Sequence, residues 1–214
     1  MSSISDQALF SAIQRKLGEP ANGGATFFSH HWSADELLRV SQDRQDALLR
    51  ETHLQIGLAT PIDEVVDQAD YDLPDDWIAT AYVIRIPVTG RAYMLDLADS
   101  FDADMGDHTW QASSGIPRTC KDGEGETRVL TVMPAPAIPG TLLVYYVPRS
   151  ARLTGHGEVL TVPDELGLPV LQYGILGDLL GKLGRGGDPA RAAYCQVRWQ
   201  LGIEVTSILL KGLA

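Results

Sequence analysis

Cysteine is scarce in this chain: two residues, Cys120 and Cys195, among 214. They lie far apart and belong to no C-x-x-C pair, so neither a disulfide framework nor a zinc site is signalled, and a reducing, cytosolic place of synthesis fits. Basic residues are also few. Lys and Arg number 17 against 28 Asp and Glu, a formal net charge of -11. Wrapping of nucleic acid needs clustered cations to displace counterions, so this balance argues against it, while leaving room for passive passage of DNA past an acidic wall. No window approaches the ~18 consecutive apolar residues of a membrane span. The opening MSSISDQALF lacks the basic and apolar regions of a signal peptide, and a chain soluble when made is expected. No internal repeat is evident.

What remains is a globular composition, 44% hydrophobic and 21% charged. Residues 3–17 place Ile4, Ala8, Leu9, Ala12, Ile13 and Leu17 at helical spacing, closed by Gly18. Ser33-Ala34-Asp35-Glu36 has the form of a capping box and predicts a second helix running to about Gly57. From Tyr71 to Pro148 short β-prone runs alternate with turn residues, predicting a compact antiparallel sheet or small β-sandwich. Helical periodicity returns at Pro163 and stops at the glycines 184–187. Asp188-Pro189 then supplies an N-cap and a first-turn proline for a last helix to about Leu210.

The expected fold is therefore α+β, an antiparallel helical bundle of two N-terminal and two C-terminal helices with an inserted antiparallel β-sheet or small β-sandwich. The expected divisions are 1–58 and 161–214 for the helices and 59–160 for the insertion. Leu179, Leu183 and Trp199 are the expected shared core.

Candidate chemistry is thin. Ser113 and Ser114 sit outside any G-x-S-x-G, and His108 falls on a loop. In WQASSGIPRTC, residues 110–120, Trp110 reads as a packing anchor, Gly115 as a turn residue able to take positive φ, and Pro117 as a lock on the extended segment after it. The acidic run with Asp96, Asp99, Asp102, Asp104 and Asp107 invites a calcium hypothesis. It departs from the EF-hand pattern, with Gly106 where a third ligand belongs and Ser113 at the twelfth position. His30 and His31 point to opposite sides of an extended segment, which suits Trp32 as a helix staple better than a metal site. Cys195, beside Trp199, reads as a buried small hydrophobe. No catalytic, cofactor or metal residue is assigned.

Taken in order, several features form a recognisable succession. They are Tyr71-Asp72-Leu73-Pro74, Trp110 through Gly115 to Pro117, Pro134-Ala135-Pro136, Tyr145-Tyr146-Val147-Pro148 and Pro163-Asp164. Over about residues 33–211 the chain resembles the head-to-tail adaptor (connector or neck) proteins of tailed bacteriophages. The resemblance implies a noncatalytic virion protein of the neck, made in the host cytoplasm. It would form a ring of about twelve copies under the portal, link it to tail proteins and line the path of double-stranded DNA without specific binding. No cofactor and no membrane are implied.

Two rivals stand beside this reading. One is a small cytosolic enzyme with a carboxylate site, or a carbohydrate-binding β-sandwich; the other is a different neck component, a head-closure or tail-terminator protein. The C-terminal segment with Ile208, Leu209, Leu210 and Leu213 is the expected interaction element, more apolar than a free terminus needs. If the aspartates of the acidic run are merely solvated, calcium titration followed by thermal melting will leave the midpoint unchanged, because only a ligand of the native state raises it.

Overall fold

The computed structural model describes residues 4–98, 113–123, 127–163 and 167–211. The chain divides into two compact units, Met1–Leu54 with Ser150–Ala214, and Gln55–Arg149.

The first unit holds four α-helices among the described residues. In α1, Asp6–Leu17, the Ser5 hydroxyl accepts the Ala8 amide and Gly18, at φ 77, ends the helix. Its apolar face buries Leu9, Phe10 and Ile13. In α2, Ala34–Thr52, the Ser33 hydroxyl accepts the Glu36 amide at 3.1 Å. Glu36 itself takes the Lys182 ammonium, at 2.9 Å, in place of the reciprocal bond of a capping box. This helix ends earlier than its periodicity suggests, because His53 turns left-handed at φ 52 and Gly57 enters a strand.

The periodic stretch after Pro163 is likewise not one helix. Gly167–Leu171 forms a π turn and α3 runs over Gln172–Gly181. Pro169 has no amide to give to the ladder, so the regular helix starts beyond it. Asp188 caps α4, Pro189–Lys211, by accepting the Arg191 amide at 3.1 Å.

α3 packs against α1, α2 and α4, and α2 also meets α4. Trp199 and Leu179 are fully buried, as expected. Leu183 is not: it lies past the end of α3, in the turn before Gly184, and is wholly exposed. The periodicity that put it in the core assumed a helix that has already stopped. Close approach of α3 and α4 depends on glycine, since a Cβ on Gly174 would come within 2.6 Å of the Trp199 ring. Arg44 of α2 lies over that ring at 5.0 Å and donates to both carboxylate oxygens of Asp178 on α3.

Residues 150–160, grouped with the strands in the sequence reading, are held by helices. Asp46 accepts the Ser150 amide at 3.0 Å and Gln42 the Leu153 amide at 3.0 Å. The buried Asp6 carboxylate takes the amides of Gly155 and Gly157, at 2.7 and 2.9 Å.

The second unit is a sheet ordered β1-β10-β4-β5-β7-β8-β3, with β2 also beside β10. The strands are β1 (Gly57–Leu58), β2 (Ile62–Asp63), β3 (Asp70–Asp72), β4 (Trp77–Pro87), β5 (Tyr93–Leu97), β7 (Thr119–Asp122), β8 (Val129–Met133) and β10 (Gly140–Pro148). The short β6 (Ser114–Gly115) and β9 (Ala135–Pro136) pair separately. The sheet curls: Tyr71 of β3 and Val144 of β10, five strands apart in the order, share one core with Val83, Leu95, Cys120, Leu130 and Val132. Alternation in β8 sends Leu130 and Val132 inward and leaves Val129 and Thr131 half-buried. The sheet is not wholly antiparallel. β5 pairs with β7, and β6 with β9, in parallel, a geometry that the long connections between them permit.

Inside this unit lies a charged pair that composition does not announce. Arg85 and Glu64 have side chains 4% and 0% exposed and meet through 2.7 to 2.9 Å contacts. Arg85 also donates to the Tyr93 hydroxyl at 3.0 Å and the Ile138 carbonyl at 2.8 Å, and the Tyr93 hydroxyl donates to the Pro117 carbonyl at 2.8 Å. Bonding to Glu64 raises the Arg85 pKa above its usual value. Removing one partner strands a buried charge, so Arg85→Met should lower the stability of the sheet by about 3–5 kcal/mol in urea denaturation. In the helical unit, Trp199→Ala should cost about 3–5 kcal/mol by the same measurement, whereas Leu183→Ala should change stability by less than about 0.5 kcal/mol.

Candidate interaction surface

α4 has two apolar faces. Ala192, Cys195, Trp199 and Ile203 recur at helical spacing and are buried. On the opposite side Tyr194, Val197, Leu201, Val205 and Ile208 recur every three or four residues and are all about half exposed or more. A helix apolar all round is normally enclosed on all sides. Here one side is open.

Along that open side runs a groove of about 240 Å³, with Pro169, Val170 and Tyr173 on one bank and Arg198, Leu201 and Val205 on the other. The π turn opens it by setting Pro169 and Val170 ahead of the regular helix. The small Gly202 lets Val170 close its floor, since a Cβ there would lie 2.9 Å from the valine methyls. Two cations lie over the Tyr173 ring: Arg198 is 5.2 Å from its centre and the Lys16 ammonium 5.7 Å. The Tyr194 ring meets it edge-on at 6.2 Å. Among the described residues, neither Lys16 nor Arg198 has a carboxylate partner. The surface thus offers apolar area beside cations that rest on aromatic faces, an arrangement suited to an apolar segment that carries carboxylates.

The residues singled out in the sequence are scattered. Ile208 and Leu209 are exposed on α4 and Leu210 is half-buried there. Trp110 and Leu213 lie outside the described residues, as do Asp99, Asp102, Asp104, Asp107 and His108. Pro117 is buried and its carbonyl accepts the Tyr93 hydroxyl. Gly115 does not take positive φ. It pairs with Pro136 in parallel register, and its lack of a side chain matters for packing, because a Cβ would come 3.1 Å from the Pro134 ring. Trp32 donates from its indole to the Leu179 carbonyl at 3.3 Å, under the Lys182 ammonium. Tyr194, Val197, Leu201 and Val205 were missed, although the apolar residues on both sides of the last helix were a visible signal.

Both thiols are buried. Burial, then the charges of Asp122 and Asp96, pushes Cys120 up to about 12, and burial raises Cys195. Neither is poised as a thiolate nucleophile.

The sequence is matched by a family model. Described as SU10 adaptor protein, it covers residues 7–205. The chain belongs to the SU10 adaptor protein family. No curated protein matches it. The family is one of phage structural adaptors, which makes this chain a virion component. Its frame takes in the α4 stripe from Tyr194 to Val205 and stops short of Ile208, Leu209 and Leu210.

The raised thiol pKa fixes a sign. Cys120 contributes stability that is fully present below its ordinary pKa of 9.0 and is lost as pH rises through about 12. A thiol reagent applied near neutral pH should label neither cysteine of the native protein and both in guanidinium, as read by mass spectrometry.

Proposed function

We propose that this adaptor is a noncatalytic protein of the phage neck. It forms a ring of about twelve copies beneath the portal, couples the portal to tail components and lines the passage of double-stranded DNA. Its helices form an antiparallel bundle with the sheet inserted between them, and the bundle supplies one face of the contacts within the ring. The observation that carries this reading is the second apolar face of α4, in a chain of a phage adaptor family. An exposed apolar stripe of that length marks an interaction site.

Net charge supports the remaining part. A wall carrying a formal charge of -11 per copy repels phosphates and lets DNA slide without sticking. Beyond the family frame, Ile208, Leu209, Leu210 and Leu213 form a terminal element that docks on the portal. Trp110, Gly115 and Pro117 serve the packing of the insertion.

The test is co-expression with the portal protein of the same phage. Negative-stain images should show rings stacked on portals. A chain lacking residues 207–214 should keep its helix content by circular dichroism and lose co-assembly. Normal stacked rings from the truncated chain would refute the docking role of this segment, and wholesale unfolding would show instead that its leucines complete the core.

A further inference from the structure

The second unit carries a surface complementary to the α4 groove. Val65 and Val66 stand side by side in a turn, 55% and 45% exposed. The turn is fixed from several directions. The Gln68 amide donates to the Val65 carbonyl at 3.1 Å, and the Asp67 amide to the Pro136 carbonyl at 2.9 Å. The buried Tyr71 hydroxyl donates to the Gln68 carbonyl at 2.9 Å and accepts the Val65 amide at 3.2 Å. Asp67 turns the chain at φ 64. Carboxylates surround the two valines in sequence, with Asp63, Asp67, Asp70 and Asp72 all exposed. A tyrosine thus holds two apolar side chains out to solvent within an acidic setting.

We propose that, in the ring, two copies of this chain meet through these two surfaces, the Val65–Gln68 turn of one copy seating in the α4 groove of the next. The inference rests on the ring reading above and names the faces that make the ring. The valines meet Leu201, Val205 and Val170, and the flanking carboxylates face Arg198 and Lys16, which have no acid of their own among the described residues. Because the turn is already ordered, little conformational freedom is lost when it docks.

Charge selects this pairing over its alternative. Groove against groove would set Arg198 and Lys16 against the same cations of the partner and leave both desolvated. Turn against groove joins unlike faces. Such a contact is heterologous, joining two different faces, which is the kind of contact a closed ring needs. It is also weakened by salt, in proportion to how far its charges remain near solvent.

The test uses the full chain with single cysteines placed on each face. Both native thiols are buried and stay out of the chemistry. Val66→Cys and Leu201→Cys proteins are mixed and mildly oxidised, and the linked peptides are identified by mass spectrometry. The expected product is a disulfide between position 66 of one copy and position 201 of another, with its yield falling severalfold at high salt or when Arg198→Glu is added to the Leu201→Cys chain. Light scattering on the unsubstituted chain, alone and with portal, separates the two claims. Oligomers without a 66–201 link, or links only between two copies of position 201, or a link from 201 to portal alone, overturn the turn-in-groove contact and leave the ring standing. A chain that stays monomeric in both conditions overturns the ring and the contact together.

Discussion

The buried pairing of Arg85 with Glu64 is the constraint around which the sheet is arranged. A guanidinium removed from water needs its donors satisfied, and each satisfying group here comes from a different part of the chain: the residue after β2, β5 and the approach to β10. The pair therefore does more than attract. It fixes where the segment after β2 must pass, sets the Tyr93 hydroxyl where it can reach the carbonyl of Pro117, and requires glycine at position 140, since a Cβ there would fall 2.6 Å from the Glu64 carboxylate. A hydrophobic substitute could fill the same volume, but it would not dictate those directions.

The helical unit reaches specificity differently, through the shape of one side chain. Trp199 needs Gly174 beneath it and Arg44 above it, and Arg44 in turn binds Asp178. That chain of dependence ties α2, α3 and α4 at one level. Gly177 and Gly202 repeat the pattern, taking Gln196 and Val170 at close range. Apolar area supplies the driving force for packing these helices, while the glycines set their spacing.

Local chemistry was legible in the sequence wherever it is decided within a few residues. Ser33 and Asp188 announced their helices because an N-cap needs only the next three amides. The β-prone runs announced strands. What could not be read depends on partners distant in sequence. Glu36 looks like half of a capping box until Lys182, far along the chain, is seen to take it. Arg85 looks like an exposed residue in an alternating strand until Glu64 is placed beside it. The parallel pairings of β5 with β7 and β6 with β9 carry no pattern that differs from antiparallel ones. Leu183 kept the helical period after the helix had ended, a reminder that periodicity describes residues and not the backbone that must hold them. The candidate surface was half legible: its terminal leucines drew notice as an apolar tail, whereas the stripe leading to them was masked by being part of a helix that also has a core to fill.

The helical unit is discontinuous in sequence, and this has a bearing on when its surfaces come into being. During synthesis the stretch 55–149 is contiguous and has all its strands before α3 and α4 exist. α1 and α2 wait meanwhile for partners that emerge after the sheet, so their own apolar faces depend on α3 and α4 for cover. The outward stripe of α4 belongs to that later segment. It emerges only after the strands and α1 to α3 have been made, which shortens the interval in which a partly folded polypeptide could stick to its neighbours through it. Chain order thus acts as a timer, delaying adhesiveness until there is a folded body to assemble.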